Sequence, residues 1–294
     1  MIVNFRDLRY VCVHVDDLSA ACSFAADVFG LQLADHNHEQ ACFRSDARNV
    51  ALRFSNHDTT QIIALSVARA EELTLMEEQL KNAGYTPARL TEEEAAQHQV
   101  KAAIKVTAPN GVEVEIVWRP MTSGWPFYGA IDAGIDGLQS VSLATTTIAE
   151  DEKFWTEGIG LCVSDWAGDA VFLQIDDAHH AIALYPSPHD KILGVTWAVK
   201  DKNNIMANWY RLQKSQVPII AGPGRQPTSN AIFVTVAGPG GILYSYAAEM
   251  DCGPEIVARG PRQFPDNASS HCMWGSQTNQ AEFLGSEAEG KIHD

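Results

Sequence analysis

Apolar and polar side chains alternate along residues 8–15 (LRYVCVHV) and again along 138–144 (LQSVSLA), the period-two pattern of a half-buried strand. After each stretch the period lengthens to that of a helix. Asp17 or Ser19 can cap a helix over 20–29, and Thr147 one over 149–158, with Glu150, Asp151 and Glu152 in its first turn. Both helices run into Gly-Leu, at Gly30 and Leu31 and at Gly160 and Leu161, where glycine suits a left-handed C-terminal turn. Phe24 and Phe154 fall where each helix would face a sheet.

Short apolar runs follow at 41–45 and 50–54, then at 170–175 and 181–185. The pattern then restarts inside each half. Residues 62–67 and 193–199 read as strands. Residues 71–83 and 203–216 read as amphipathic helices, with Leu73, Met76 and Leu80 on one apolar face and Ile205, Trp209 and Leu212 on the other. Two closing strands flank Pro109-Asn110-Gly111 in the first half and Pro239-Gly240-Gly241 in the second. Proline fixes φ and the next residues tolerate positive φ, so both are turns.

These landmarks recur at one spacing. Tyr10 precedes Val11 as Ser140 precedes Val141 (140−10 = 130); Gly30 maps to Gly160 and Gly111 to Gly241, again 130 apart. Insertions in unrelated segments would not keep that offset, so the chain is read as a duplication. The expected fold class is α+β, four βαβββ modules forming two tandem half-barrel domains. The expected boundaries are 1–119 and 137–250 for the two domains. A Pro/Gly-rich linker over 120–136 is anchored by Trp125, Phe127 and Tyr128. A tail over 251–294 has faded periodicity; Trp274 is expected to pin part of it, and its last residues to be disordered.

Composition narrows the function classes. The 294 residues are 46% hydrophobic, enough for two ordinary cores. A net charge of −16 disfavours nucleic acid and anionic lipid, both of which call for a basic face. No signal peptide or membrane-length apolar run is expected. The six cysteines show no CxxC pairing, which suits buried or half-buried thiols in a reducing cytoplasm.

In this order and at these separations, the modules resemble the vicinal oxygen chelate superfamily. Four modules resemble its type I extradiol ring-cleavage dioxygenases, over roughly residues 4–250. The sharpest local matches are the strand opening with His179 and His180, the Gly222-Pro223-Gly224-Arg225 stretch and the Gly238–Gly241 turn. The resemblance implies Fe(II) held in the second half by two histidines and a glutamate, a facial triad with open positions for a catecholate and dioxygen. Carried over, those positions fall on Ser140, Gly194 and Ser245. Windows 137–146 and 191–200 hold no histidine, and 241–248 holds no acid. The resemblance makes His180 the acid/base residue beside substrate, and puts Gln226, Asn230 and Thr235 where further polar groups stand. Arg225 is the candidate cation of the cavity.

The expectation is therefore a scaffold with no metal and no cofactor. It binds a small aromatic or hydrophobic ligand through Ser140, Gly194, Arg225, Gln226, Asn230, Thr235 and Ser245, with His180 as the catalytic candidate. Neither nucleic acid nor membrane is an expected partner, and a homodimer or higher homo-oligomer is. An active iron-dependent dioxygenase and a non-catalytic assembly protein stay open as alternatives. His36 and His38 beside Glu39 could ligate zinc, though a solvent-facing strand explains them more simply. Glu115, 130 before Ser245, occupies the ligand-equivalent slot of the first half with Tyr10 and Ala64 as counterparts, and reads as structural. Trp155, Trp197 and Trp209 read as core.

Overall fold

The computed structural model describes residues 3–285. The expectation of disorder for the last residues concerns mostly positions outside that range. The chain divides into two compact units, residues 1–132 with 149–161, and residues 133–148 with 162–294.

The first unit is built on an eight-stranded sheet: β1 (Phe5–His14), β2 (Gln32–His36), β3 (Gln40–Arg44), β4 (Leu52–Ser55), β5 (Ile62–Val67), β6 (Ala88–Arg89), β7 (Ala102–Thr107) and β8 (Glu113–Trp118). Their order is β2-β3-β4-β1-β5-β8-β7-β6. β1 pairs parallel with β4 and antiparallel with β5, and β5 pairs parallel with β8. Helix α1 (Leu18–Ser23) is capped by Asp17, whose carboxylate accepts from the Ala20 amide at 2.9 Å. It widens into a π turn over Phe24–Val28 rather than continuing as α-helix. Helix α2 (Glu71–Asn82) buries Leu73, Met76 and Leu80, as its apolar stripe requires. A third helix, α3 (Glu92–Gln97), carries a Thr91/Glu94 capping box.

The second unit repeats the design. Its strands are β9 (Ile135–Thr145), β10 (Cys162–Ala167), β11 (Ala170–Gln174), β12 (Ile182–Pro186), β13 (Lys191–Val199), β14 (Ile219–Arg225), β15 (Ile232–Ala237), β16 (Leu243–Ala248) and β17 (Arg262–Phe264). Their order is β14-β15-β16-β13-β9-β12-β11-β10-β17. Dropping β17, this is the first sheet's order read from its other edge, with the same pairing senses. Helix α5 (Lys202–Lys214) is capped by Asp201 and buries Ile205 and Leu212.

Helix α4 (Ile148–Lys153) and its π turn Phe154–Ile159 belong to the first unit, although their sequence opens the second half. Phe154 packs on Tyr85 with ring centroids 4.9 Å apart. Gly160 closes the turn at φ +93°, and Gly30 sits at +89° in the first copy, conformations that glycine adopts without strain.

Several side chains differ from the sequence reading. Phe24 is only half-buried and stacks on Phe29, which takes the fully buried position instead. Trp155 and Trp197 are buried, but Trp209 is half-buried. Trp125 and Tyr128 are exposed and anchor nothing with their rings. Cys162 and Cys252 are exposed rather than buried, and all six thiols are free. Beyond residue 250 the chain is ordered into α6 (Pro254–Ala258) and β17, which pairs parallel with β10. Among the described residues no helix is long and apolar enough to cross a membrane.

Candidate functional site

The second unit contains a cavity of about 600 Å³. Its floor is a row of hydroxyls. Ser140 on β9 stands opposite Thr196 on β13, Thr196 opposite Ser245 on β16, and Ser245 opposite Thr235 on β15. Directly opposed residues share a sheet face, so four strands deliver four hydroxyls to one surface, and all four line the cavity. Thr235 Oγ1 and Ser245 Oγ lie 2.8 Å apart. Ser142, two residues along from Ser140, joins the same face. Tyr185, Phe233 and Met250 add apolar wall. The segment after β17 supplies the opposite side through His271, Cys272, Met273 and Phe283.

His180 lines this cavity yet is almost wholly buried. Its Nδ1 lies 3.0 Å from Nδ1 of His179, and His179 Nε2 donates to Asp165 Oδ2 at 2.8 Å. Asp165 is fully buried on β10 beside Ser164. The β10–β11 pairing skips Ser164, and this bulge turns two consecutive side chains inward. Asp165 also accepts from Arg259 Nη1 at 2.8 Å, from Arg262 Nη2 at 2.7 Å and from the Arg262 amide at 2.8 Å. These donors outweigh burial and hold its carboxyl far below the usual carboxylate range. Burial, reinforced by the neighbouring His179, pushes His180 well below 6.5, so its imidazole is neutral at pH 7. Burial lowers His271 to about 4 as well. Among the described residues lining the cavity none is Asp, Glu, Lys or Arg.

Of the expected ligand-contacting residues, Ser140, His180, Gln226, Thr235 and Ser245 come together on the cavity wall. Three do not. Gly194 faces Leu243, and a Cβ there would meet the Leu243 carbonyl oxygen at 2.9 Å. In the β13–β9 pairing, which skips Leu193, Gly194 stands opposite Ser142 and Thr196 stands opposite Ser140. Arg225 is not a cavity cation. It donates to Asn230 and to Glu249 Oε2, the latter at 2.8 Å, and its guanidinium lies 5.5 Å from the ring centre of Trp274. Trp274 itself is half-exposed, so it covers Arg225 rather than pinning the tail in a core. Asn230 is tied up by Arg225 and by Asp251. Asp165, Thr196 and His271 escaped the sequence reading, which named His179 as part of a matching strand but gave it no role. The contact of Asp165 with Arg259 and Arg262 was concealed by its distance in sequence, 94 and 97 residues.

The residues present do not fit the Fe(II) centre that the resemblance implies. Ser140, Thr196 and Ser245 offer neutral hydroxyls, which are poor ligands for a divalent transition metal. Among the described residues no three His, Cys, Asp or Glu side chains converge as a metal site. His36 and His38 are exposed, and His38 pairs with Glu39.

In the first unit the equivalent row reads Tyr10, Ala64, Glu115 and Lys105. There the centre is filled. Glu115 is fully buried, accepts from the Tyr10 hydroxyl, and lies 2.8 Å from Nδ1 of His98, which follows α3.

Comparisons with known proteins agree with this architecture. Residues 137–246 match the family model for the glyoxalase/bleomycin resistance protein/dioxygenase superfamily. A 1,2-dihydroxynaphthalene dioxygenase of Pseudomonas sp. (strain C18) is 28% identical over 160 residues, 51% of this chain and 53% of the relative. The chain thus spans about half the length of that relative. A biphenyl-2,3-diol 1,2-dioxygenase of Sphingomonas paucimobilis is 22% identical over 265 residues, 83% of this chain and 88% of the relative. Among solved structures, BphC, a halotolerant catechol dioxygenase, overlaps 95% of this chain and 97% of its own with a TM-score of 0.86 at 18% identity. The Mn(II)-bound glyoxalase from Novosphingobium aromaticivorans overlaps 98% and 100% with a TM-score of 0.83 at 22% identity. Duplicated βαβββ modules, a match to the superfamily's model over residues 137–246 and near-complete overlap with dioxygenase and glyoxalase structures lead to one conclusion: the chain has the vicinal oxygen chelate fold, and its second half matches that superfamily.

Proposed function

We propose that the second unit is a dioxygenase-like scaffold that binds a small aromatic molecule without iron, or acts on it by metal-independent chemistry. The observation that carries this reading is the Ser140–Thr196–Ser245–Thr235 row, which lines a cavity of about 600 Å³ where the family's chelating set would stand. The volume lies within the usual range for small-molecule sites, roughly 300–1,000 Å³. The relatives' names point to two-ring aromatic diols as the chemistry to try first. His180, neutral and at the wall, is the group able to take a proton from a bound hydroxyl. A cytoplasmic location and a homodimer or higher homo-oligomer complete the reading.

The test is a thermal-shift and dialysis screen of naphthols, biphenyl-diols and catechols against chelator-treated protein, paired with His180→Ala. Stabilisation by at least one aromatic, weakened in the variant, supports the reading. No stabilisation by any of them, with His180→Ala unchanged, ends it. The second reading, an iron-dependent ring-cleavage dioxygenase, is favoured by the fold and the relatives' names. Anaerobic loading with Fe(II) followed by oxygen uptake on the same diols tests it, and absence of both bound iron and uptake rejects it.

A further inference from the structure

The Asp165–His179–His180 chain has a direction. An ionised carboxylate only accepts, so the proton in the 2.8 Å contact with Asp165 sits on His179 Nε2. Arg259 and Arg262 already bring two positive charges to this one carboxylate. A doubly protonated His179, fully buried, would be a third cation with no further anion at hydrogen-bond distance in that chain. His179 therefore carries its single proton on Nε2, and its Nδ1 presents a lone pair. The 3.0 Å contact between the two Nδ1 atoms then requires His180 to donate from Nδ1. That leaves His180 Nε2 bare, as an acceptor. Carboxylate, first imidazole and second imidazole thus set which hydrogen-bonding partner the cavity wall can take, in the way an outer carboxylate fixes the tautomer of an inner imidazole.

The remainder of the wall points the same way. No formally charged side chain lines the cavity among the described residues, so an anion entering it would lose water without meeting a cation. It would also face the His180 lone pair. A neutral phenol hydroxyl meets an acceptor at His180 and hydroxyl partners along the floor. We infer that Asp165 and His179 are positioning residues that lock His180 as an acceptor at Nε2, so that the cavity selects neutral hydroxyl-bearing aromatics over aromatic carboxylates. The inference rests on the aromatic-binding reading above for its ligand, but not for the tautomer itself.

Two measurements test it. Two-dimensional ¹⁵N NMR of the histidine rings in the ligand-free full chain at pH 7.5, assigned with His180→Ala, reads the tautomer directly. Protonated Nδ1 and bare Nε2 on His180 are expected, and a protonated Nε2 overturns the assignment. The same spectrum of His179→Phe, which removes the acceptor for Nδ1, is expected to show His180 with mixed tautomers. A change confined to folding would leave the tautomer of any folded fraction as it was, so an unaltered His180 signal in His179→Phe also overturns the proposal. Binding of 2-naphthol and 2-naphthoate to the wild-type chain supplies the second readout. The naphthol is expected to bind at least about tenfold more tightly, a difference of about 1.4 kcal/mol. Equal or tighter binding of 2-naphthoate overturns the selectivity. If neither binds while Nε2 is bare, the aromatic-binding reading and the selectivity built on it are overturned, and the tautomer assignment stands.

Discussion

The two units share one strand order and differ at the middle of the sheet. In the first, the row across β1, β5, β8 and β7 is Tyr10, Ala64, Glu115 and Lys105; in the second, the row across β9, β13, β16 and β15 is Ser140, Thr196, Ser245 and Thr235. The offsets are 130, 132, 130 and 130 residues. The Tyr10 phenol and the Glu115 carboxylate meet across the first row, Lys105 pairs with Glu94 and Glu113, and the α3 region closes over the row. His98 meets Glu115, while Leu90, Ala95 and Val100 pack with Tyr10 and Ala64. Hydroxyls bonded directly to Cβ cannot reach so far, and the second row stays open. The lesson is that duplication preserved the strand order, while the side chains at four positions differ between a sheet centre filled by packing and one that lines an open cavity.

The contrast can be broken where it is strongest. Tyr10→Ala removes a buried ring and a partner of Glu115, and is expected to destabilise the protein by about 3–5 kcal/mol, as large-to-small core changes do. Ser140→Ala at the equivalent place is expected to cost no more than about 1 kcal/mol, since it opens no large void. Urea unfolding of both variants checks this, and equal losses would refute the distinction between packed and open rows.

Asp165→Asn is expected next in size. It leaves Arg259 and Arg262 without their shared carboxylate, but both arginines are partly exposed and water screens part of the loss. A destabilisation of about 2–3 kcal/mol is expected, below the range for fully buried pairs. A smaller urea-midpoint change than for Ser140→Ala would show that the tail is not held by this contact.

Acid separates the units too. Burial holds His271 near 4 in the folded state against 6.5 unfolded, so the unfolded chain binds the proton first as pH falls. Its contribution is complete above about pH 6.5 and is lost on descending toward 4. That amounts to about 3 kcal/mol, with His180 acting in the same direction. Stability measured at pH 7.5, 5.5 and 4.5 should fall less in His271→Phe, whose ring suits the Tyr185 and Phe283 neighbours. An unchanged pH slope would contradict the burial argument. The smallest effect is expected from Thr235→Val, which keeps the shape and removes the 2.8 Å contact with Ser245. A loss of about 0.5–1 kcal/mol is expected by thermal unfolding, and a loss above that of Asp165→Asn would mean the hydroxyl row is structural.

Much of this was legible in the sequence because periodicity and turn chemistry are local. Both helices of each half, the Gly30 and Gly160 closures and the fixed offset follow from residues close together in the chain. Two hydroxyls of the cavity row, Ser140 and Ser245, were also legible, at positions where the resemblance expects ligands. The middle slot was not. The resemblance pointed to Gly194, and only strand pairing, which skips Leu193, shows that Thr196 stands opposite Ser140. No apolar run marked β2, at a sheet edge, or β10, beside β17, because one of their faces is polar or bulged. The Asp165 network was invisible because its members lie up to 97 residues apart. Arg225 looked like a cavity cation because its partner Glu249 is 24 residues downstream.

The central claim is that a hydroxyl floor and a neutral His180 bind an aromatic with no metal in the site. A fluorescence titration of the full chain with 2-naphthol, run once in chelator and once with Fe(II) added anaerobically, addresses it most directly. Saturable binding of equal affinity in both is the result expected here. Binding that develops only when Fe(II) is present would contradict the account.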